Sequence, residues 1–581
     1  MERADRKTDR SISRRTFLKR GLAAGGLAGG GAAIWAAASS GPSARRPPNI
    51  LVIIVDQLRF PQWFSPAAVG GPGLPPNLAS LRRGAVSFER HYTASNDCTP
   101  ARSTLLTGLY THQTGCMITG GSTLDPGFPT WGTMLREQGY ETYWYGKWHL
   151  SHGDRRWSDS SGPAMLERYG FSGGTYPSPN GAPGQGWRVD PHIAGQFKRW
   201  FADHGGGGPW CTTVSLVNPH DISWWYTWTD PVRPESGAPS VVTSLPPNYE
   251  TPELLAARRK PILQRSLQST SAHAFGAVPF AGPAALPTWL GFLDLYVKLQ
   301  RDVDENIGRV LRTLHSQPEV AANTVIVFTS DHGEYGASHG LRGKGAAAYE
   351  EGIRVPLLVR DPRGALTRAH EHGRSQLTSS VDVAPLLVTI ATGSNAWRRE
   401  RHYAQIAGRL DLARILAQPS APGRPYVLHA TDEILTEFAT EPYAADAPLH
   451  IAAVRTHDAK YATYSNWRPG TIDVLERHQE SELYDYRTQG GALELDNSAG
   501  RSAREAELRA LLEQAVANEL REPLPARLRK AQRGGFANYF TTARHDARMA
   551  AKSRRRRLET IGPPPPPLPR AKRTGGARHH R

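Results

Sequence analysis

Unbroken runs of apolar residues, each followed by polar or charged side chains, recur four times along this chain. Runs without alternating polar positions predict strands that are buried on both faces of a parallel sheet. The polar residues that close the runs are therefore candidates for one shared site. The runs lie in PNILVIIVDQ (Ile50 to Val55), YETYWYGKWHL (before Lys147 and His149), CTTVSLVNPHD (Cys211 to Val217, before His220) and NTVIVFTSDHG (Val325 to Phe328).

Segments with the periodicity of amphipathic helices separate these runs. In one of them, Leu293 to Leu314, apolar residues recur every three or four positions. Alternating strands and helices predict an α/β fold over residues 48–425, with a large, mostly parallel central sheet flanked by helices. Ligands of such sheets bind beyond the carboxyl ends of the strands, so we expect the polar residues after the four runs to meet at one edge.

The hydrophobic pattern changes near residue 426. Short alternating segments such as HIAAVRTHDAKYATYS and SELYDYR predict antiparallel strands, followed by a helix near Ser502 to Asn518. We therefore expect a smaller C-terminal subdomain over residues 426–545, built from an antiparallel sheet and a helix. Residues 546–581 are rich in Arg and Pro and cannot form a core, which predicts a disordered basic tail.

The first 47 residues have the features of an export signal. The paired arginines Arg14 and Arg15 precede an uncharged run from Gly21 to Ala38, an arrangement that resembles a bacterial twin-arginine signal. The alternative is a retained membrane anchor, but the run is rich in Gly and Ala and ends in small residues, which favours a cleaved signal. We expect the twin-arginine translocation machinery to export the protein to the periplasm or the extracellular space.

The positive charge of the chain is concentrated at its two ends. The formal net charge is +17, and residues 1–47 carry +7 while residues 551–581 carry +9. The residues between them are therefore close to neutral overall. An extended nucleic-acid-binding face on the folded body is not expected.

The stretch NDCTPARSTLLTG, residues 96–108, combines a cysteine, a proline and an arginine at close spacing. Pro100 suits the first position of a helix that ends at Gly108, which would place Cys98 just outside the helix amino terminus. Free N–H groups there favour an anion, and Arg102 would add a fixed positive charge. The alternative is a small buried cysteine beside a solvated arginine.

The chain has two further cysteines, Cys116 and Cys211, which could form a disulfide with each other.

Two of the apolar runs end in pairs of candidate metal ligands. Asp56 and Gln57 follow the first run, and Asp331 and His332 follow the last. A single aspartate after a strand usually caps a helix or begins a turn. Together, however, the four residues offer oxygen and imidazole ligands that suit a divalent cation.

The segment CTPARSTLLTGLYTHQTG resembles the signature of the sulfatases, a family of the alkaline phosphatase superfamily in which the cysteine is oxidised to formylglycine. The resemblance continues in order through IVDQ, GKWHL, NPHD, TSDHGEYGASHGLRGKG and ELYDYRTQGGALELDN, over roughly residues 48–500. It implies an enzyme that hydrolyses a small or aryl sulfate ester. It also implies maturation by a formylglycine-generating enzyme.

The resemblance also implies a role for each candidate residue. Formylglycine formed from Cys98 would supply its hydrate as nucleophile, and one divalent metal ion would bind a hydrate oxygen together with Asp56, Gln57, Asp331 and His332. Arg102 and Lys147 would hold the hydrate and the ester oxygens. His149 would accept a proton from the second hydroxyl, and His220 and Lys344 would contact the ester and assist its leaving oxygen.

Two positions depart from the common sulfatase pattern. Many sulfatases have aspartate where Gln57 stands and asparagine where His332 stands, and the combination here is more similar to choline sulfatases and phosphonate monoester hydrolases. Ca²⁺ is the metal the family implies, but an imidazole ligand makes Mn²⁺ an alternative. The alternative function is hydrolysis of phosphonate monoesters or phosphodiesters at the same site. A third reading is a non-catalytic binding protein, against which the complete set of site residues argues.

An aromatic segment, HDISWWYTWTD, follows His220. Its side chains could wall a pocket for an aryl group, a sugar face or a quaternary ammonium. Alternatively, they pack the loop against the domain, which is the more common role of such residues. The aromatic residues concerned are Trp224, Trp225, Tyr226 and Trp228.

Overall fold

The structure is a computed structural model of the 581-residue chain. The described residues are 46–60, 73–151, 153–227, 229, 241–367, 373–433, 443–468 and 470–561. The predicted twin-arginine signal, Trp228 and residues 562–581 of the predicted tail lie outside them. Within the described part of the chain, no helix combines the length and apolar character needed to cross a bilayer.

An eight-stranded mixed sheet forms the centre of the molecule, in the order β4-β3-β5-β1-β6-β7-β2-β8. Strand β7 pairs antiparallel with β6 and β2, and the other pairs are parallel. The strands are β1 (Asn49–Val55), β2 (Val86–Tyr92), β3 (Glu141–Gly146), β4 (Ser172–Gly173), β5 (Trp210–Leu216), β6 (Thr324–Ser330), β7 (Leu357–Arg360) and β8 (Gly373–Ser379).

The four apolar runs of the sequence are four neighbouring parallel strands, β3, β5, β1 and β6, which confirms the predicted fold class. Val55, at the end of β1, is in register with Leu216 of β5 and Ser330 of β6. The residues that follow these strands therefore emerge at one edge of the sheet, as predicted.

The two faces of the sheet are covered by helices. In β1, Ile50, Val52 and Ile54 pack into one hydrophobic cluster, and the residues between them pack into another on the opposite face. Burying each such side chain stabilises the fold by about 1.5–3 kcal/mol. The α-helices of this domain are α1 (Pro76–Arg83), α2 (Cys98–Thr107), α3 (Thr111–Thr114), α4 (Trp131–Arg136), α5 (Gly162–Glu167), α6 (Gln185–His204), α7 (Pro252–Ala257), α8 (Ile262–Phe275), α9 (Ala285–His315), α10 (Pro318–Ala322), α11 (Glu350–Ile353), α12 (Val383–Thr392) and α13 (Leu412–Ala417).

A second, antiparallel sheet of four strands follows in the C-terminal part, in the order β12-β11-β10-β9. Apolar residues of this sheet and of helix α15 share one cluster, which includes Val454 and Leu512. The elements are β9 (Val427–Asp432), β10 (His450–Arg455), β11 (Ala459–Trp467), β12 (Val474–Asp485), α14 (Gln489–Ala492), α15 (Glu505–Ala515) and α16 (Arg529–Ile561).

Helix α16 extends further than the sequence predicts. It continues to Ile561, whereas the sequence predicts a disordered tail from residue 546. Its first turns carry aromatic side chains, and Phe536 and Tyr539 pack against Met117 and Ile118. Once a helix is anchored in this way, residues of high helix propensity such as Ala, Lys and Arg can extend it.

Candidate active site

Helix α2 presents Cys98 at its first position. The Cys98 N–H donates to Oδ1 of Asp97, the N-cap residue, over 3.0 Å. Gly108 ends the helix with a φ of 69°, a left-handed conformation that glycine adopts without strain. The sequence predicted that the helix begins at Pro100 and leaves Cys98 outside it. In the structure the helix begins two residues before Pro100, at Cys98. Proline is tolerated there because N–H groups of the first turn have no partner within the helix.

Two ammonium groups and an imidazole surround the buried Cys98 side chain. Cys98 Sγ lies 2.9 Å from Lys344 Nζ, 3.2 Å from His332 Nε2 and 3.6 Å from Lys147 Nζ. Burial works to raise the pKa of Cys98, but Lys147, Lys344 and His332 outweigh it and hold the pKa well below its usual value. This position therefore stabilises negative charge.

Arg102 bridges the two aspartates that follow β1 and β6. It contacts Asp56 Oδ2 at 2.8 Å and Asp331 Oδ2 at 2.9 Å, and all three side chains are 0% exposed. Its remaining guanidinium nitrogen donates to the carbonyl of Lys147 and to Ser215 Oγ. The alternative of a solvated arginine is therefore wrong.

The two aspartates form a buried acidic pair beside Cys98. Burial and Cys98 work to raise the pKa of Asp56, but Lys147, His220 and Arg102 hold it below its usual value. Burial and the neighbouring Asp56 raise the pKa of Asp331, although Arg102 opposes this. A pair of this kind attracts a further cation, because two close carboxylates repel each other when both are ionised.

The donor set fits a divalent metal ion. Asp56, Cys98, Asp331 and His332 are all buried, and each offers one ligand atom within 4.8 Å of the others. His332 Nδ1 lies 3.0 Å from the Gly333 carbonyl, a hydrogen bond that leaves Nε2 available as a ligand. Although burial opposes it, Asp331 and Cys98 raise the pKa of His332 to about 9.

Gln57 lies beside this donor set in a left-handed conformation, with a φ of 65°. Its Oε1 accepts hydrogen bonds from Ser223 Oγ at 2.8 Å and Lys344 Nζ at 3.1 Å, and its Nε2 donates to Glu334. Sequence reasoning did not include Ser223 or the fully buried Glu334. Glu334 follows His332 by two positions in the DHGEYG segment, which was the available signal.

The other two predicted histidines, His149 and His220, also flank Cys98. A hydrogen bond with His149 contributes to the low pKa of Cys98. His149 has a φ of 55° and borders a cavity of about 110 Å³ that Thr99, Arg156 and other polar residues line. Burial, Lys147 and Lys344 lower the pKa of His220 to about 3, so its imidazole is neutral at pH 7.

The structure therefore brings every predicted site residue to one place at the sheet edge. In the aromatic segment, in contrast, two tryptophans pack as part of the core. Trp224 and Trp225 are buried, and the Trp225 ring lies 4.9 Å from that of Phe292 of helix α9. Tyr226 is 44% exposed.

The other two cysteines are free thiols in one hydrophobic cluster. The considered disulfide is therefore not formed. Burial raises the pKa of Cys116 to about 12 and also raises the pKa of Cys211. Cys98 is buried as well, but it is the cysteine whose neighbours favour the thiolate.

Comparison with known proteins identifies the family of this chain. The sequence model of the sulfatase family matches residues 48–394, more than half of the chain. The chain belongs to the sulfatase family. It is 27% identical over 339 residues to the uncharacterized sulfatase YidJ of Escherichia coli, covering 54% of this chain and 62% of that protein. It is 26% identical over 400 residues to the choline-sulfatase of Rhizobium meliloti, covering 59% of this chain and 67% of that protein.

Solved structures share the fold of this sulfatase-family chain. A phosphonate monoester hydrolase from Silicibacter pomeroyi superimposes with a TM-score of 0.61 at 22% identity, covering 83% of this chain and 96% of that one. A 2-O glycosaminoglycan sulfatase superimposes with a TM-score of 0.60 at 22% identity, covering 82% and 93%. These neighbours support the alkaline phosphatase-like fold.

Proposed function

We propose that this protein hydrolyses small or aryl sulfate esters at the site around Cys98. The observation that carries the proposal is the enclosure of Cys98 Sγ by Lys344 at 2.9 Å, His332 at 3.2 Å and Lys147 at 3.6 Å. Cys98 Sγ stands in for the nucleophilic oxygen of a formylglycine hydrate. Formylglycine, made from Cys98 by a formylglycine-generating enzyme, would supply that hydroxyl as the attacking group.

The surrounding side chains suit the charge that develops as a sulfate ester is cleaved. Lys147 and Lys344 would contact the ester oxygens, where negative charge increases in the transition state. Arg102 would hold Lys147 and both aspartates in place through its buried contacts. His149 would accept a proton at the nucleophile, and His220 would lie beside the leaving oxygen together with Lys344.

Asp56, Gln57, Asp331 and His332 would hold one divalent metal ion next to the nucleophile. The metal would act as a Lewis acid that stabilises negative charge on oxygen. Ca²⁺ is the ion that the family implies, and Mn²⁺ suits the imidazole of His332 better.

The alternative substrate is a phosphonate monoester or a phosphodiester. Two residues favour this alternative substrate: Gln57 and His332 stand where many sulfatases have aspartate and asparagine. The fold neighbour from Silicibacter pomeroyi is a phosphonate monoester hydrolase. Both ester classes have a tetrahedral oxyanion, so the cationic enclosure suits either.

The deciding experiment compares kcat/KM for an aryl sulfate and an aryl phosphonate monoester. One metal-loaded preparation, co-expressed with a formylglycine-generating enzyme, serves for both substrates. We expect the sulfate to be preferred by orders of magnitude. A preference for the phosphonate would overturn the sulfatase activity in favour of the alternative.

A second experiment separates an enzyme from a binding protein. Peptide mass analysis of the same preparation should find Cys98 converted to formylglycine, with loss of the sulfur. Complete absence of conversion, together with no turnover of either substrate, would support a non-catalytic binding protein.

We also propose export by the twin-arginine pathway. The supporting observation is the sequence alone, in which Arg14 and Arg15 precede an uncharged run. Replacing both with lysine should retain the protein in the cytoplasm, as measured by cell fractionation. Unchanged export of the double variant would contradict the proposal.

A further inference from the structure

A second cluster of metal-type ligands lies outside the Cys98 site. His112 belongs to α3, Asp432 is the last residue of β9, and His450 is the first residue of β10. Asp432 and His450 are direct partners in the antiparallel pair. All three are nearly inaccessible to solvent, at 3%, 2% and 3% exposure. No predicted function uses this cluster.

The three side chains converge on a small volume. His450 Nδ1 lies 3.1 Å from Asp432 Oδ1, and His112 Nε2 lies 3.9 Å from Asp432 Oδ2. The ligand atoms of the three residues are all within 4.8 Å of one another. In a tetrahedral zinc site with bonds of about 2.0–2.1 Å, ligand atoms are about 3.3 Å apart. Small side-chain movements would therefore complete such a site.

Two buried polar atoms in this cluster face each other without a hydrogen-bond partner among the described residues. They are His112 Nε2 and Asp432 Oδ2. Their separation of 3.9 Å is too long for a hydrogen bond. A buried polar atom without a partner destabilises the fold by about 1–3 kcal/mol. A group that binds both atoms would remove this cost. A cation between them does so.

Neighbouring groups orient the ligands in the way that outer-sphere partners orient ligands in metal sites. His112 Nδ1 lies 3.1 Å from Thr111 Oγ1, which occupies one ring nitrogen and leaves Nε2 toward Asp432. Trp467 Nε1 donates to Asp432 Oδ1 over 2.7 Å, and its ring lies 3.9 Å from the His450 ring. Metal-binding imidazoles and carboxylates usually have such partners.

A cavity of about 700 Å³ reaches the cluster from the C-terminal subdomain. His112, His450 and Trp467 line it, together with charged residues that include Glu476 and Arg521. Because two of the three ligands border this space, a bound metal would have a position open to water or to a small anion. Sites with three protein ligands and one open position are typical of reactive zinc.

We propose that His112, Asp432 and His450 bind a divalent transition metal, with Zn²⁺ the best match for two imidazoles and one carboxylate. The site shares no residue with the Cys98 centre. It would connect α3, which closely follows the Cys98 helix, to the C-terminal sheet more than 300 positions later. The competing explanation is a protonated His112 that forms an ion pair with Asp432.

Counting bound zinc tests the proposal. Full-length protein is stripped with a chelator, equilibrated with Zn²⁺ in the presence of a chromophoric competitor of nanomolar affinity, and analysed for metal by elemental mass spectrometry. The competitor removes zinc from weak sites such as the histidines at the C-terminal end. We expect the unsubstituted protein to retain one more equivalent than Asp432→Asn or His450→Asn.

The matched control is His429→Asn. His429 is also buried, at 1% exposure, and also lies on β9, but it contacts the Thr93 carbonyl and is not part of the cluster. This variant should keep the full zinc count. Trp467→Phe should retain the site but weaken its zinc affinity about 10- to 100-fold.

Two outcomes would overturn the proposal. One is an equal zinc count in the unsubstituted protein and in both ligand variants. The other comes from crystals grown with Zn²⁺, which require no variant and therefore decide the matter even if a substitution prevents folding. An anomalous peak among His112, Asp432 and His450 is the expected result, and its absence there would favour the ion pair.

Discussion

The three cysteines of this chain are all buried, yet their neighbours give them opposite acid–base properties. Apolar surroundings raise the pKa values of Cys116 and Cys211. At Cys98, two lysines and His332 reverse the effect of burial and lower the pKa. The sequence motif selected Cys98 as the candidate, but the lysines that lower its pKa are 49 and 246 positions away.

Replacing Cys98 tests this difference at the scale of one residue. Cys98→Ala removes the source of the nucleophile, so kcat/KM for an aryl sulfate should fall by at least about 10³-fold. Cys211→Ala is the control, because it removes a buried thiol from the same domain. It should lower the unfolding free energy by about 1 kcal/mol and leave kcat/KM nearly unchanged. Equal loss of activity in the two variants would contradict the assignment.

At the scale of secondary-structure elements, the ends of the strands set the positions of the site residues. Gly146 is the last residue of β3 and directly precedes Lys147. Its φ is 102°, and a Cβ atom there would lie 1.9 Å from the Ser215 carbonyl oxygen of the neighbouring strand β5. The close approach of β3 and β5 therefore depends on glycine at this position.

Gly146→Ala should separate the two strand ends and displace Lys147. We expect the unfolding free energy to fall by about 2–4 kcal/mol, from backbone strain and overpacking together, and kcat/KM to fall as well. Gly139→Ala is the matched control, with a φ of 82° and no atom within 4 Å of the added Cβ. It should lose only about 1 kcal/mol, measured by denaturant unfolding. Equal losses in both would show that the contact with Ser215 is unimportant.

A buried histidine in β2 should make the stability of the central sheet depend on pH. Burial lowers the pKa of His91 from 6.5 to about 4, while its Nδ1 contacts Thr378 Oγ1. Below pH 6.5 the unfolded chain binds a proton that the folded protein excludes until about pH 4, so stability falls as the pH falls through this window. The full effect is about 3 kcal/mol.

His91→Gln should remove this part of the pH dependence. The unfolding free energy, measured with denaturant between pH 7 and pH 4, should depend less steeply on pH in this variant than in the unsubstituted protein. The difference in slope should correspond to at most one proton. Replacing the exposed His192 with Gln is the control and should leave the slope unchanged. An identical slope in His91→Gln would indicate that this histidine titrates normally.

At the scale of the whole molecule, the last helix packs against the domain that contains the Cys98 site. Phe536 and Tyr539 of α16 cover Met117 and Ile118, and Gly115 lies against Gly535 so closely that a Cβ would clash. The sequence predicted a C-terminal subdomain as far as residue 545 and a disordered tail from residue 546. The packed residues of this helix lie within the predicted subdomain, and the helix itself continues to Ile561.

Two truncations distinguish the parts of this segment. Removing residues 562–581 should leave turnover of a small substrate and the Tm unchanged, because that segment is Pro- and Arg-rich and lacks apolar residues for a core. Removing residues 529–581 should lower the Tm by several degrees, since it exposes Met117 and Ile118. Thermal unfolding monitored by circular dichroism measures both. A large loss on the shorter truncation would contradict the assignment.

The sequence by itself determined four central strands, β3, β5, β1 and β6, and most of the residues that meet at their ends. Apolar runs and their polar ends are local features, so Asp56, Lys147 and Asp331 could be assigned to one sheet edge before any contact was known. Tertiary structure decided what these side chains do to one another. The bridge from Arg102 to two aspartates, the hydrogen bonds of Gln57 to Ser223 and Glu334, and the free thiols at Cys116 and Cys211 all depend on distances between residues far apart in the chain. Those distances follow from how helices and sheets pack, which no local pattern encodes.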